Sequence, residues 1–332
     1  MLEGLAIGFT SELSSAELFW NGGCWESLVQ SLIVRTLTVD IPSSVEGLDF
    51  SYIPIRFRTR SIKMLTIGFL GGGNMAGALI GGLLAGGPRS DLKVHVTDLH
   101  EDKLARLAAL GAQTHSGVGE WAASCDLMVF AVKPQGMKTA LASLMPFLNP
   151  DGAALTIAAG IEAAAYADWL NGYPLMRAMP NTPAMVGMGV SGLWIPAGIS
   201  DTAANAARQV LAAAGKVIEV KTEADIDLVG AIPGSGPAYV FRFMEALEKA
   251  GIKRGLPPEA AHALALGTVL GAAVLADKSG EAFSKLRENV TSKGGTTAKA
   301  LEVMNNRDID GMMDEAVNAA LKRTAEMKAL FR

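Results

Sequence analysis

Beyond residue 64 the apolar positions alternate between short uncharged runs and longer amphipathic ones. Residues 65–70 form an apolar run bounded by glycine, which predicts a strand, and a helix follows over 74–84. A second strand is predicted over 93–97, with Val94 and Val96 on one face. The next helix covers 102–110, with leucines at 104, 107 and 110 and Gly111 as its stop. Apolar strands are expected at 127–132, stopped by Lys133-Pro134, and at 154–158, 175–178 and 217–220. A helix over 201–214 is expected to be capped by Asp201 and ended by Gly215. Strand–helix–strand order repeated in this way predicts an α/β fold with a doubly wound parallel sheet covered on both faces.

Beyond residue 223 the pattern changes. Helical periodicity at 235–254, 258–277, 281–289, 296–305 and 309–328 continues with no strand between, so 64–223 reads as an α/β domain and 224–332 as an all-helical one. Residues 1–63 fit neither. They hold apolar islands such as 32–34, Ser and Pro breaks, and the cluster Arg56, Arg58 and Arg60. Glu3 and Glu12 argue against a secretory or transit signal. This stretch is expected to be an N-terminal extension without a part in catalysis.

The chain has 332 residues, 50% of them hydrophobic and 19% charged. The run 260–276 carries no formal charge, but it contains His262, Gly267, Thr268 and Gly271 and sits at the short limit for a membrane span. It is read as a helix buried inside a protein or a subunit interface, and no membrane partner is expected. A net charge of −4 without a basic stripe gives no footprint for nucleic acid. Cys24 and Cys125 are the only cysteines, and His95, His100 and His115 show no metal-binding spacing. No metal site is therefore expected, and a reducing cytoplasm fits.

The turn after the first strand reads Gly71-Gly72-Gly73-Asn74-Met75-Ala76, a G-x-G-x-x-A sequence between a strand and a helix. Gly71 permits a tight turn, Gly73 lets phosphates approach, and Ala76 allows close helix–strand packing. The N–H groups of the helix start, including those of Asn74 and Met75, can hold a pyrophosphate. The second strand ends at Asp98, 22 residues beyond Ala76 (98 − 76). A carboxylate there suits an adenosine ribose and would repel a 2′-phosphate, a leaning toward NADH; alternatively Asp98 is a turn residue or helix cap. Lys103 is close in sequence and could simply face solvent. Val132, Lys133 and Pro134 leave the strand at the ligand-facing edge, where they either line a cofactor ribose or form a proline-terminated strand end with a solvated lysine.

Three polar segments interrupt the apolar sequence further on. Asn181 lies between Pro180 and Pro183, fixed either as an amide beside a nicotinamide ring or as part of a stiff turn. Ser235 and Pro237 open a long helix, where Ser235 can act as its cap. Residues 290–297, Val-Thr-Ser-Lys-Gly-Gly-Thr-Thr, bring hydroxyls, glycines and a helix N-terminus together. That combination suits a small carboxylate, or else forms an elaborate cap. No nucleophile–base set and no carboxylate dyad is visible. This fits chemistry supplied by a cofactor.

The segments 67–75 (Ile-Gly-Phe-Leu-Gly-Gly-Gly-Asn-Met), 131–135 (Ala-Val-Lys-Pro-Gln), 179–184 (Met-Pro-Asn-Thr-Pro-Ala), 234–239 (Gly-Ser-Gly-Pro-Ala-Tyr) and 286–297 (Leu-Arg-Glu-Asn-Val-Thr-Ser-Lys-Gly-Gly-Thr-Thr) occur in one order. In that order the chain resembles the pyrroline-5-carboxylate reductases over about 64–330. The resemblance implies a Rossmann-type sheet domain followed by an all-helical dimerisation domain, and a homodimer or higher homo-oligomer built through the C-terminal helices. It implies reduction of (S)-1-pyrroline-5-carboxylate to L-proline with NADPH or NADH, and the family often accepts NADPH well. By the same match Ser292 and the amides of Gly294, Gly295, Thr296 and Thr297 would hold the substrate carboxylate. Thr297 would bond the ring nitrogen, Ser235 would lie near the substrate, and Lys133 and Asn181 would lie on the cofactor side. Two positions depart from the family pattern, Lys293 where proline is usual and Pro233 where a small residue is usual. A hydroxyacid dehydrogenase would need a lysine or histidine acid/base beside the nicotinamide, and a dinucleotide-sensing regulator would not need the 291–297 loop. On the reductase reading, the turn at 71–76 and the loop at 292–297 must face one another.

Overall fold

The computed structural model describes residues 64–87 and 89–331. The expectation for 1–63 lies outside the described residues. Eight strands form one sheet in the order β3-β2-β1-β4-β5-β6-β7-β8. They are β1 (Leu65–Leu70), β2 (Leu92–Thr97), β3 (Gln113–His115), β4 (Leu127–Phe130), β5 (Ala153–Thr156), β6 (Leu175–Met179), β7 (Gly189–Trp194) and β8 (Gly215–Val220). The 3-2-1-4-5-6 run is the dinucleotide-fold order, reversing between β1 and β4 so that a crevice opens outside their C-terminal ends.

Helices cover both faces, which is why the central strands read as unbroken apolar runs. On one face α1 (Asn74–Leu83) and α5 (Asp201–Ala212) pack Leu79, Ile80 and Leu83 against Ala207, Val210 and Leu211. On the other, α3 (Pro134–Leu144) and α4 (Ala163–Trp169) bury Met137, Leu141, Leu144 and Tyr166 over β4 and β5. Between β2 and β3 runs α2 (Glu101–Ala109).

The sheet differs from the expected all-parallel one in a single pairing, since β7 runs antiparallel to β6. The chain returns from β6 through a short 3₁₀ turn, Thr182–Val186, too brief for a parallel crossover. Strands β3 and β7 and helices α3 and α4 have no counterpart in the expected elements; Gly189 and Gly192 interrupt the apolar signal of β7. The cap of α5 is Ser200, whose hydroxyl accepts the Ala203 N–H at 3.3 Å, and not Asp201, which sits in the first turn. Gly215 does not end that helix but opens β8 at φ +146°, where a Cβ would overlap the Gly189 backbone.

After β8 the described chain is helical throughout: α6 (Asp225–Val229), a π-helical turn (Gly230–Gly234), α7 (Gly236–Ile252), α8 (Pro258–Ser279), α9 (Phe283–Asn289), α10 (Thr296–Asn306) and α11 (Ile309–Lys328). Helix α11 returns to the sheet, where Lys328 bridges Asp227 at 2.5 Å and Glu162 at 3.2 Å. Helix α8 is long and apolar enough to cross a membrane by length and composition. Of the two expectations for this run, burial inside the chain or in a subunit interface, the first does not hold, since only its Ala261 and Ala265 are buried. Its Leu264 and Leu270 stand exposed, as do Phe241 and Phe283 on neighbouring helices.

Candidate active site

Turn 71–76 begins where β1 ends, and three contacts fix its shape. Gly71 takes φ +103°, a conformation open to glycine, and a Cβ there would lie 2.8 Å from the Ala131 carbonyl and 3.0 Å from Val132 Cγ1. The turn is thereby packed on the β4–α3 junction, which brings Val132, Lys133 and Pro134 beside it. Gly72 donates its N–H to Asp98 Oδ2 at 2.8 Å. Gly73 is the N-cap of α1 in extended backbone, contributes no side chain, and has nothing within 4 Å of where a Cβ would be. The first-turn N–H groups of Asn74, Met75 and Ala76 are thus left to an external acceptor, with open space above Gly73. Ala76 is buried against the sheet as expected. This uncapped, open cradle fits the pyrophosphate of a dinucleotide.

Asp98 does more than the sequence reading allowed. Its Oδ1 accepts the His100 N–H at 2.9 Å, the His100 ring Nδ1 at 2.9 Å and Lys103 Nζ at 3.3 Å. Burial pushes its carboxyl up, but the N–H bonds from Gly72 and His100, with the His100 ring and Lys103, outweigh it and hold the group below the usual carboxylate range. Lys103 therefore does not face solvent alone. Lys103 and Arg106 line a groove of about 270 Å³ that also includes Gly73, Asn74, Leu107 and Met185. Arg106 went unnoticed in the sequence; its i, i+3 spacing from Lys103 on α2 was the available signal.

Lys133 is the exposed N-cap residue of α3, with Pro134 in the first helical position. Asn181 is buried, and its amide is committed on both sides. Its Nδ2 donates to the Pro233 carbonyl at 2.9 Å and its Oδ1 accepts the Val190 N–H at 2.8 Å. The side chain clamps the end of β6 to the start of β7 and to the π-helical turn, rather than presenting a free amide. Met179 packs against Gly230 and Gly234 on the same turn. The residue after it, Ser235, does not cap α7 as expected, because the chain before it is already helical. Its hydroxyl donates to the Gly230 carbonyl at 3.1 Å. Pro233, the residue that departs from the family pattern, lacks an N–H and sits inside the π-helical turn while its carbonyl serves Asn181.

The loop before α10 repeats the design of the cofactor turn. Gly295 is the N-cap in extended backbone (φ −73°, ψ 175°), much as Gly73 is (φ −68°, ψ −176°), and neither start has a side-chain cap. Gly294 supplies φ +72° and Gly295 donates back to the Ser292 carbonyl at 3.0 Å. The N–H groups of Thr296 and Thr297 are left facing outward. Ser292, Lys293 and Thr296 are exposed and Thr297 is half-buried. The Thr291 hydroxyl is already engaged, donating to the Arg287 carbonyl at 2.6 Å.

Residues 223–327 match the family described as pyrroline-5-carboxylate reductase dimerisation, and 66–160 match NADP oxidoreductase coenzyme F420-dependent. The chain is 40% identical over 263 residues to the pyrroline-5-carboxylate reductase of Pseudomonas aeruginosa, covering 79% of this chain and 96% of that protein. The chain belongs to the pyrroline-5-carboxylate reductase family. The likeness extends to the reductase of Pisum sativum at 32% identity, over 79% of this chain and 96% of the plant protein. The reductase structure from Coxiella burnetii superposes with a TM-score of 0.75 at 35% identity, covering 79% of this chain and 97% of that one. The Plasmodium falciparum reductase, solved with NADP bound, gives 0.68 at 28% identity, covering 80% and 99%.

For a reductase of this family, the placement of the two glycine-capped helix starts is the notable feature. The groove beside Gly73 includes no residue of 291–297. The cavity beside Thr291 is lined by Arg287, Glu288, Ala298, Leu301, Glu302, Asn305 and Asn306, all from the helical region. Within one chain the two elements that were expected to face one another share neither cavity: the turn lines the first, and residues 292–297 line neither.

Proposed function

We propose that this chain reduces (S)-1-pyrroline-5-carboxylate to L-proline using NADPH or NADH, in sites completed by a second copy of the chain. One observation carries this: two helices, α1 and α10, begin on extended glycines with no side-chain cap, so each start offers its N–H groups to an anion. A dinucleotide pyrophosphate and a small carboxylate account for both, whereas a dinucleotide-sensing regulator accounts only for the first. Gly71, Gly73, Asn74, Met75 and Ala76 would seat the pyrophosphate, with Val132, Lys133 and Pro134 alongside. Asn181 acts by holding the adjoining wall. The bound cofactor supplies the hydride equivalent. The chain's own part is to grip the substrate carboxylate through Ser292 and the amides of Gly294, Thr296 and Thr297, while the Gly295 N–H closes the loop on the Ser292 carbonyl. Thr297 would place its hydroxyl at the ring nitrogen, while Ser235 and its turn border the ring.

The exposed apolar faces of α7–α11 supply the contact for a homodimer or higher oligomer, which brings the 292–297 loop of one subunit to the cofactor turn of its partner. This domain division, sheet to about 223 and helices beyond, makes each half of the site the work of one region. A reducing cytoplasm suits Cys125, which is buried, burial pushing its thiol up to about 12.

The test uses the full chain with either reduced dinucleotide and pyrroline-5-carboxylate, following both nicotinamide absorbance and proline. Thr297→Ala should slow turnover by roughly a hundredfold while leaving dinucleotide affinity unchanged. Dinucleotide binding without proline formation by the unaltered chain would overturn the proposal.

A further inference from the structure

The helical region is fastened to the sheet at both of its ends, and both fastenings fall on one edge. At its start, the π-helical turn rests on the end of β6: Asn181 donates to the Pro233 carbonyl at 2.9 Å, and Met179 packs on Gly234. At its finish, α11 comes back over that turn and over α6. There Met327 packs on Gly160, where a Cβ would meet Met327 Cβ at 3.1 Å. Lys328 bridges Asp227 of α6 and Glu162, and Phe331 packs on the core cluster of Met137, Leu141 and Tyr166. Strands β1, β4, β5 and β6 run parallel. Residues 157–163 and 179–181 therefore leave the sheet at the same carboxyl edge as the 71–76 turn, the edge where such folds bind their ligands.

The start of α4 shows that this edge is held from outside the sheet domain. Glu162 is the N-cap residue of α4, but its carboxylate does not cap the helix. It meets Lys328 at 3.2 Å, and the first helical N–H, that of Ala163, goes instead to Glu223 at 2.6 Å. Residues 160–163 are thus gripped by Met327, Lys328 and Glu223, from the two ends of the helical region. Lys328 is the shared member, one ammonium between two carboxylates with its side chain only 11% exposed. Two charge-assisted contacts restrict relative position more closely than apolar packing alone. Lys328 lines neither the groove beside Gly73 nor the cavity beside Thr291.

We infer that Lys328 is a positioning residue for the reduction. It ties the last helix to the loop after β5 and so holds the cofactor edge of the sheet at a fixed offset from the helices that carry residues 292–297. In a symmetric dimer the same offset is set in both chains, whichever subunit completes a site. Binding of dinucleotide or substrate tolerates a small change in that offset. Hydride transfer between them does not, since a displacement of about 1 Å caused far from the chemistry can cost on the order of a hundredfold in rate. The inference rests on the reductase reading of this chain and adds to it a residue remote from both anion sites.

Steady-state kinetics of the full-length protein test it, with pyrroline-5-carboxylate and reduced dinucleotide either protiated or deuterated at the transferred position. Lys328→Met keeps the apolar stem and leaves two carboxylates that reach water, their side chains being 22% and 30% exposed. It should lower kcat by about tenfold with both KM values unchanged, and the isotope effect on kcat should rise as hydride transfer becomes the slow step. A mere loss of folded enzyme would leave the isotope effect where it was. Lys328→Arg keeps the charge and should restore most of the rate. Should Lys328→Met fail to fold, Glu162→Gln removes one partner, keeps the lysine, and should show the same split between kcat and KM. An unchanged kcat, a loss confined to KM, or a loss without a rise in the isotope effect would overturn the positioning role and leave the reductase reading standing. No proline from the unaltered chain would bring down both.

Discussion

Replacing Glu223 by Ala would put the joint between sheet and helices to a quantitative test. Arg177 on β6 is 1% exposed, and its Nη1 donates to Glu223 Oε1 at 2.5 Å while its Nε has no partner in the structure. The same Glu223 oxygen accepts the Ala163 N–H at 2.6 Å, so one carboxylate holds a buried cation and the start of α4 together. Removing one member of a buried pair costs about 3–5 kcal/mol because the other is left as an uncompensated charge. The side chain of Glu223 is itself 29% exposed, so water takes up part of that loss. Leaving the Ala163 N–H without its acceptor adds about 1 kcal/mol. The net expectation for Glu223→Ala is a loss of about 3 kcal/mol. Arg177→Met should cost less, about 1–2 kcal/mol, because it removes the buried charge and leaves a carboxylate that can reach water. The double variant should therefore be more stable than Glu223→Ala alone. Urea unfolding followed by circular dichroism at one fixed protein concentration would read all three, the fixed concentration being needed for an oligomer. Strictly additive losses, or a Glu223→Ala loss below about 1 kcal/mol, would show that Arg177 does not depend on this partner.

Gly71→Ala would combine a strained positive φ with a contact 2.8 Å from the Ala131 carbonyl, and it should weaken dinucleotide affinity by about tenfold or more in a fluorescence titration. Unchanged affinity would detach that turn from the cofactor. His95 is buried, with its Nδ1 2.8 Å from His115 Nε2; burial, then Lys93 and His115, push it down to about 4. It is therefore neutral in the folded chain while an unfolded histidine titrates near 6.5. The stability this contributes is present above 6.5 and is lost as the pH falls toward 4, on the order of 2–3 kcal/mol. His95→Gln should flatten that part of a pH–stability curve, and a slope identical to wild type would remove His95 as its source. Co-expressing Gly71→Ala subunits with Thr297→Ala subunits should restore about a quarter of wild-type activity, because half of randomly formed dimers are mixed and each mixed dimer has one intact site of two. Activity no higher than that of the better parent would place both elements of a site in one chain.

The parts of the fold readable from sequence were those set by local pattern. Strands β1, β4 and β5 are covered on both faces and so are mostly apolar, β2 and β6 show apolar residues around Lys93, His95 and Arg177, and the residues beyond Val220 carry no strand pattern. Strand β7 escaped because its direction depends on the brevity of the Thr182–Val186 return and its sequence is diluted by Gly189 and Gly192. The turn Gly230–Gly234 escaped because a π-helical segment carries the same composition as a loop, and Ser235 then looks like a cap that the preceding helix makes unnecessary. The local pattern of α8 left two readings open, the chain's own core or a subunit interface, because an uncharged run does not say which surface covers it; in the fold only Ala261 and Ala265 are buried.

At the site, sequence identified residue types but not what those residues were already bound to, and function turns on the second. Asp98 and Asn181 were both legible as polar groups at strand ends, where ligands are read. In the fold each spends its hydrogen-bonding capacity on the protein, Asp98 on Gly72, His100 and Lys103, Asn181 on Pro233 and Val190. The groups left over are the plain ones: the backbone N–H groups after Gly73 and Gly295. This division has a physical reason. A carboxylate or amide can be satisfied by backbone partners close in space, and satisfying it rigidifies the walls that carry it. A helix start capped by glycine has no side chain with which to satisfy itself, so its donors remain available until an anion arrives. On that logic the recognition elements of this site are the positions where the protein supplies no partner of its own, and the two glycine caps mark them.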